Sequence, residues 1–381
     1  MRGLQGLGAA VVLPAALSIV MNMFGEGAER NKALGIWGGI GAAGATAGLL
    51  AGGLLTRYAG WEYIFYLNVP IGATALLLAR RVVPESRLHG ARRRYDPFGA
   101  VTVTGALVIG VYTISQAPTA GWTAIRTLAL LAVSAALLAG FLVLETRTEA
   151  PLLPLRLFRL RTLAGSNAVG FLLGASFFAF IFIGTLYMQQ VLGYSALKTG
   201  VAWLATSVTA LVLAGPAQML VTRASAKLVM AAGMAMVGVG ILWATQIHAH
   251  GSFWADLAGP LFVTGGCTLA FIPVSIGALA GVAGHDGGVA SGLLNTSQQI
   301  GGAIGVAIAS TVAATRTQAL LSQGHATAVA LTGGFQWALW VSGLTGLAAV
   351  PVTFLLIRRR ELARAAATAL QREAPVPASA D

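Results

Sequence analysis

Residues 123–144 read TAIRTLALLAVSAALLAGFLVL, and the stretch from Thr127 to Leu144 carries no charged side chain. An α-helix needs about 20 predominantly apolar residues to cross the roughly 30 Å hydrocarbon core of a bilayer. This stretch therefore predicts a membrane-spanning helix, and similar runs recur along the whole chain. The eleven predicted spans are 3–23, 33–56, 62–79, 97–115, 123–144, 162–183, 198–221, 228–246, 257–281, 288–313 and 335–357.

The composition of the chain agrees with a membrane protein. Of the 381 residues, 56% are hydrophobic and only 9% are charged, whereas a soluble domain has about a quarter of its residues charged. The 49 glycines are interleaved with apolar residues, which favours close packing of helices in lipid. The sequence therefore predicts an all-α, polytopic membrane protein with about eleven transmembrane helices and no soluble domain.

The distribution of positive charge predicts an orientation. The net charge of +12 would suggest nucleic acid as the partner of a soluble domain, but in a membrane protein basic residues collect in cytoplasmic loops. Of the 24 lysines and arginines, 19 fall in one set of alternate connections and the tail. The other five are Arg2, Arg57, Arg126, Lys198 and Arg316. We expect a multi-pass protein of the inner (plasma) membrane with a cytoplasmic C-terminus, and no nucleic-acid partner.

The residues that carry enzyme or metal chemistry are sparse. The single cysteine, Cys267, excludes an internal disulfide and a cysteine-based metal cluster. His248 and His250 are weak evidence for a metal because nothing but their spacing supports it, and His285-Asp286 is predicted to be a solvated loop pair. No buried nucleophile is paired with a base. The sequence therefore predicts neither an enzyme, nor a cofactor, nor a metal site.

Glycines form a smooth strip on the second predicted span. Gly44, Gly48 and Gly52 recur at four-residue steps, so they share one helix face. Such a strip lets a neighbouring backbone approach closely. Tight packing and a sliding or hinge surface are both compatible with it.

A second strip, on the span 288–313, is polar as well as small. Its members are Ser291, Asn295, Gln298, Gly302 and Gly305. Polar amides that face lipid are costly, so this face should point into the bundle or a cavity. Interhelical hydrogen bonds and a substrate-lining role remain equally open. Gln189 and Gln190 add two amides near one end of the span 162–183, and Phe177, Phe178, Phe180 and Phe182 precede them as candidates for an apolar pocket.

The acidic residues avoid the centres of the spans. Glu62, Asp96, Glu145 and Asp256 mark predicted helix ends, and the other carboxylates lie in loops or the tail. Proton coupling usually needs a titratable group embedded in the membrane. The eleven spans lack a central carboxylate that would serve this purpose.

Five blocks of sequence stand in the order in which one transporter family carries them. They are RGLQGLGAA at 2–10, GLLAGG at 48–53, WEYIFYLNVPIG at 61–72, LYMQQVLGYS at 186–195 and the segment 291–307. Together they resemble the major facilitator superfamily, specifically its fourteen-helix drug:proton antiporters of the EmrB/QacA type. Leu49 replaces a proline usual in that family, and Glu62 replaces an arginine.

The resemblance implies a secondary transporter that exports amphipathic drugs or small apolar metabolites by alternating access, with protons and the lipid bilayer as its other partners. Arg2 would then act in proton relay or charge compensation. The substrate cavity would be lined by Gln5, Gln189, Gln190, Asn295 and Gln298. Helix packing and gating would fall to Gly44, Gly48, Gly52, Gly53, Gly302 and Gly305.

The resemblance also predicts how the chain is divided into parts. It implies that the first predicted helix of this chain corresponds to the fourth helix of the family. The expected parts are three helices of the N-terminal bundle at 1–79, a basic cytoplasmic linker at 80–96, two extra transmembrane helices at 97–144, a basic cytoplasmic loop at 145–161, a six-helix C-terminal bundle at 162–357 and a basic cytoplasmic tail at 358–381. On this alignment the family's proton-coupling acid would precede Met1. The alternative is a truncated or miscalled chain that inserts in the membrane but does not transport by itself.

Overall fold

The computed structural model describes residues 2–24, 28–83, 96–148, 151–223, 225–282 and 286–357. Most of the predicted linker at 80–96 and the whole predicted tail at 358–381 lie outside these ranges. The α-helices within them are α1 Arg2–Met23, α2 Ala28–Tyr58, α3 Tyr63–Val82, α4 Pro97–Ala120, α5 Ile125–Arg147, α6 Arg161–Leu186, α7 Ala196–Arg223, α8 Ala226–Trp243, α9 Ala258–Thr264, α10 Thr268–Leu279, α11 Gly287–Ser322 and α12 Thr327–Leu356.

Each predicted span coincides with a helix, or with α9 and α10 together. In the described ranges all regular structure is helical, and nine helical segments are long and apolar enough to cross a membrane. The prediction of an all-α, polytopic bundle is therefore confirmed. Internal prolines such as Pro216 in α7 and Pro351 in α12 do not end their helices, which membrane helices tolerate when neighbouring groups satisfy the freed backbone.

Helix α6 lies at the centre of the largest core. It packs against α10, α11 and α12, and α8 packs against α10 and α12. Leu173 and Ile183 of α6, Met234 of α8 and Leu339 of α12 belong to one cluster of buried side chains. The helices α6 to α12 therefore all contribute to the largest hydrophobic core, and smaller clusters lie beside it.

The predicted span 257–281 is interrupted. It consists of a π-helical turn at Phe253–Leu257, then α9, a 3-10 turn at Gly265–Cys267, and α10. A Cβ on Gly265 would lie 2.8 Å from the carbonyl oxygen of Thr206 in α7. The 3-10 turn therefore lies where α7 packs closely against the broken helix.

Two N-terminal helices contact the helices of the large core: α2 packs along α7, and α1 packs against α11. Gly53 of α2 is buried, and a Cβ at this position would lie 2.9 Å from Leu197 Cα. Helix α3 packs against α2 and buries none of its own residues. Gly53 therefore lets the backbone of α2 come close to that of α7.

Helices α4 and α5 form an antiparallel hairpin, and α4 packs against α11. Asp96 caps the start of α4 by accepting a hydrogen bond from the Gly99 backbone N–H at 2.8 Å. Pro97 follows at the first helical position, where its missing N–H is not needed. Local sequence thus fixes where α4 begins.

Candidate functional site

Helices α6 and α11 cross with their backbones in contact. A Cβ on Gly174 of α6 would collide with the carbonyl oxygen of Gln298, and a Cβ on Gly305 of α11 would collide with that of Ala175. Gly301 stands in the same relation to the carbonyl oxygen of Phe171. Glycines four residues apart let two helices approach this closely. Three glycines, one from α6 and two from α11, therefore define this crossing.

Beside this crossing, the two helices also exchange a hydrogen bond. Ser297 Oγ of α11 donates to Asn167 Oδ1 of α6 at 3.0 Å, while Asn167 Nδ2 donates to the Leu163 carbonyl at 2.9 Å. Neither residue belongs to the strip predicted from the sequence. Ser291, which does, donates to the carbonyl of Gly288 in its own helix.

A cavity of about 580 Å³ lies between α4, α6 and α11. Its walls carry two aromatic rings and several neutral polar groups, and no described lining residue is charged. The lining residues that matter most to the chemistry are Ser115, Thr119, Phe178, Phe182, Gln299 and Ser310. A cleft of this size, mostly apolar with a few polar groups, is typical of a small-molecule site.

A second cavity of about 330 Å³ continues from the first towards α12. Phe182 and Ser310 line both cavities. Phe335 of α12 and Gln318 of α11 line only the second. The two cavities therefore form one groove along α11.

The predicted cavity residues lie in different places. Asn295 and Gln298 are half-buried, but they do not line either cavity. Gln298 faces α6 instead, with its Cγ 3.4 Å from a Cβ built on Gly170. Gln189 and Gln190 are exposed in a π-helical turn after α6. The neighbouring amide, Gln299, lines the cavity and was missed.

The remaining predicted residues fall on the N-terminal helices or on α11. Gln5 is exposed on α1, and the side chain of Arg2 lies outside the described part of the chain. No described atom lies within 4 Å of a Cβ built on Gly44 or Gly48, whereas a Cβ on Gly52 lies 4.0 Å from Ile64 Cδ1. Gly302 lines the first cavity and lies against the ring of Phe178.

The phenylalanines of α6 divide between the cavity and the core. Phe178 and Phe182 line the cavity, as the sequence suggested for part of this group. Phe180 is buried against Trp203 of α7 with ring centroids 5.4 Å apart. The run of aromatic residues was therefore the sequence signal that pointed towards the cavity.

Three of the four acidic residues predicted at helix ends, Asp96, Glu145 and Asp256, are buried, which the sequence did not reveal, whereas Glu62 is exposed. Asp96 and Glu145 are 8% and 4% exposed and lie at the same end of the α4–α5 hairpin. Glu145 Oε1 accepts a hydrogen bond from the Leu153 N–H at 3.1 Å. Among the described residues, one oxygen of each carboxylate, Asp96 Oδ2 and Glu145 Oε2, has no hydrogen-bond partner. Carboxylates at the helix ends thus enter the protein interior.

A third buried carboxylate, Asp256, joins two π-helical turns. Its Oδ1 lies 2.9 Å from His248 Nδ1, and its Oδ2 accepts a hydrogen bond from the Tyr187 hydroxyl at 3.2 Å. The same hydroxyl lies 2.8 Å from the His248 carbonyl oxygen. His248 is the exposed member, since its side chain is 72% accessible and that of Asp256 only 4%. The network ties the end of α6 to the turn that precedes α9.

The prediction that Asp286 is solvated is wrong. It is 7% exposed, and its Oδ2 accepts a hydrogen bond from Arg156 Nη2 at 2.9 Å. The sequence could not reveal this pair, because its two members lie 130 residues apart. In the described residues no group of three histidine, cysteine, aspartate or glutamate side chains is arranged to hold a metal ion.

Comparison with known proteins identifies the class to which this helical bundle belongs. The sequence profile of the Major Facilitator Superfamily matches residues 1–306, so the chain belongs to that superfamily. It is 35% identical to the puromycin resistance protein pur8 of Streptomyces alboniger over 87% of this chain. It is 36% identical to the cephamycin export protein CmcT of Amycolatopsis lactamdurans over 83%, and 33% identical to the multidrug resistance protein Stp of Mycobacterium tuberculosis over 84%.

The chain spans only part of these relatives. The matched region covers 66% of pur8 and of CmcT, and 59% of Stp. All three are named for resistance or export, and none is named as an enzyme. The resistance and export functions in these names belong to the relatives. What this chain shares with them is the superfamily.

Proposed function

We propose that this chain is a secondary transporter of the plasma membrane that exports amphipathic drugs or small apolar metabolites. Membership of the Major Facilitator Superfamily and the export or resistance names of its relatives support this proposal. The structural observation that carries it is the cavity of about 580 Å³ between α4, α6 and α11. Its aromatic rings and neutral polar groups suit a ligand that is partly apolar.

Alternating access requires two groups of helices that move against each other around the binding site. The contact between α2 and α7 is a candidate for the moving interface, because Gly53 brings α2 to the backbone of Leu197. The crossing of α6 and α11 is a candidate for a fixed unit, since no side chain separates the backbones there. Gly53 would then act in gating, and Gly305 in packing.

Proton coupling and the fourteen-helix EmrB/QacA type are further parts of the proposal. The sequence blocks at 2–10, 48–53 and 61–72 favour that type. Arg2 would act in proton relay or charge compensation, as the family resemblance implies. The predicted orientation, with a cytoplasmic C-terminus, follows from the bias of the basic residues.

The test uses inverted membrane vesicles in which respiration builds a proton gradient and a pH-sensitive acridine dye reports it. Two forms are compared: residues 1–381, and the same residues preceded by the first three helices of an EmrB/QacA-type relative. We expect chloramphenicol to dissipate the gradient in vesicles with either form, because the proposal assigns transport to residues 1–381. Dissipation by the longer form alone would instead favour the non-transporting alternative. Failure of both forms would contradict the proposed transport, whereas activity of the shorter form would exclude the non-transporting alternative.

A further inference from the structure

The α4–α5 hairpin is held both internally and against α11. Ser134 Oγ of α5 donates to the Ala106 carbonyl of α4 at 2.7 Å. The turn between the two helices places Trp122 so that its Nε1–H donates to Thr311 Oγ1 of α11 at 3.0 Å. Thr311 directly follows Ser310, which lines both cavities. The position of α4 is therefore fixed relative to the cavity wall.

The polar groups that α4 and α11 present to the cavity are partly free. Ser115 of α4 and Gln299 of α11 line the cavity, and neither has a hydrogen-bond partner within the described ranges. A primary amide offers two donors and one acceptor, and a hydroxyl offers both kinds. These groups are available to a bound molecule from two helices that line the cavity.

The lining also defines the charge of a suitable ligand. No carboxylate or basic side chain is among the described residues of either cavity. A charged ligand would find no ionic partner among these residues, and a charge without a partner is costly beside apolar groups. An uncharged aromatic molecule can instead pack against Phe178 and Phe182 and hydrogen bond at its polar end.

We propose that α4 forms one wall of a binding site whose ligands are uncharged, amphipathic, aromatic molecules. The extra hairpin is then part of the site and more than a spacer between two bundles. This inference rests on the proposed function, because it names the class of molecule that the transporter would carry. Binding can nevertheless be measured separately from transport. Loss of transport with intact binding would count against the proposed function alone.

The test is equilibrium dialysis of radiolabelled chloramphenicol, which is neutral and amphipathic, with the purified chain in phospholipid nanodiscs. The variant Ala303→Phe fills the cavity from α11, and we expect it to weaken binding by about tenfold because its ring occupies the ligand's space. Ile308→Phe is the matched control, since Ile308 is an exposed residue of the same helix outside both cavities. It should bind like the unmodified chain.

Two further variants keep the test independent of how well Ala303→Phe folds. Gln299→Leu removes the free amide, and Trp122→Phe removes the hydrogen bond that holds the hairpin to α11. We expect each to weaken chloramphenicol binding by about threefold to tenfold, as loss of a single hydrogen bond of about 1 kcal/mol allows. If Trp122→Phe binds chloramphenicol with unchanged affinity, α4 does not form a wall of the site. If Gln299→Leu does so, the Gln299 amide does not contact the ligand.

Competition identifies the class of ligand. The cation tetraphenylphosphonium should not displace chloramphenicol, and equal displacement by it would overturn the inference on charge. A lipid acyl chain is the competing occupant of such a cavity. Chloramphenicol binding in detergent that disappears in nanodiscs would show that lipid fills the site, and would contradict the proposal.

Discussion

Arg156 and Asp286 lie 130 residues apart in sequence, yet Arg156 Nη2 is 2.9 Å from Asp286 Oδ2. The arginine belongs to the 3-10 turn before α6, and the aspartate immediately precedes α11. The pair therefore links the starting ends of the two helices whose backbones cross further along. Asp286 is nearly buried, while the arginine side chain is 64% accessible.

Replacement of Arg156 should weaken the link between the starting ends of α6 and α11. We expect Arg156→Gln to lower the free energy of unfolding by about 1 kcal/mol, a value below that of a buried charged hydrogen bond because the arginine is exposed. Thermal unfolding of the purified protein in detergent measures the effect, which should shrink at high salt. Arg159→Gln, in the same turn and exposed, is the control. Equal behaviour of the two variants would contradict the prediction.

The crossing of α6 and α11 should be intolerant of even one added methyl group. We expect Gly305→Ala to destabilise the protein by about 1–3 kcal/mol, because its Cβ would collide with the Ala175 carbonyl oxygen and force the helices apart. Gly292→Ala on the same helix has open space around it. It should be neutral or stabilising by up to about 1 kcal/mol, since alanine favours helix. Similar unfolding temperatures for both variants would show that the backbones do not touch.

The network around Asp256 should depend on its buried member more than on its exposed one. We expect Asp256→Ala to cost about 1–3 kcal/mol, because the His248 ring loses its buried carboxylate partner and the Tyr187 hydroxyl keeps only the His248 carbonyl oxygen as acceptor. His248→Ala should cost less, and His250→Ala, which removes an exposed side chain, should change stability by less than about 0.5 kcal/mol. Thermal unfolding at constant pH ranks the three variants. A larger effect for His250→Ala than for Asp256→Ala would refute the assignment.

The end of α12 is capped by a lysine from another helix. Lys227 Nζ donates to the carbonyl oxygens of Phe354 and Ile357 at 2.8 and 2.7 Å. A cation that hydrogen bonds the last carbonyls of a helix stabilises its end. We expect Lys227→Met to lower the free energy of unfolding by about 1–2 kcal/mol. Lys227→Arg should lower it by less than half of that amount, and thermal unfolding in detergent measures both. Equal loss in both would show that the charge and its donors are not what holds α12.

The membrane helices were predictable because length and hydrophobicity are local properties. The uncharged stretch from Thr127 to Leu144 lies within α5, and the other predicted spans also coincide with helices. The π-helical turn at Phe253–Leu257 and the 3-10 turn at Gly265–Cys267 were not predictable. Both depend on contacts with other helices, which the hydropathy of a segment does not contain.

The candidate site was only partly predictable, because periodicity gives the face of a helix and not its neighbour. Gln298 and Gln299 differ by about 100° around the helix axis, and this rotation alone decides that one meets α6 and the other lines the cavity. Hydrogen bonds such as that between Ser297 and Asn167 join residues 130 positions apart. No pattern within a single segment reports such a partner.

The backbone contact between α6 and α11 also has a genetic consequence. Every single-base change in a glycine codon that alters the amino acid adds at least one carbon atom beyond Cα. At Gly174, Gly301 and Gly305 that carbon meets a carbonyl oxygen of the opposite helix. Random mutagenesis followed by selection for a stable folded protein should therefore recover substitutions less often at these three codons than at Gly44, Gly48 and Gly292, where no described atom lies within 4 Å of an added Cβ.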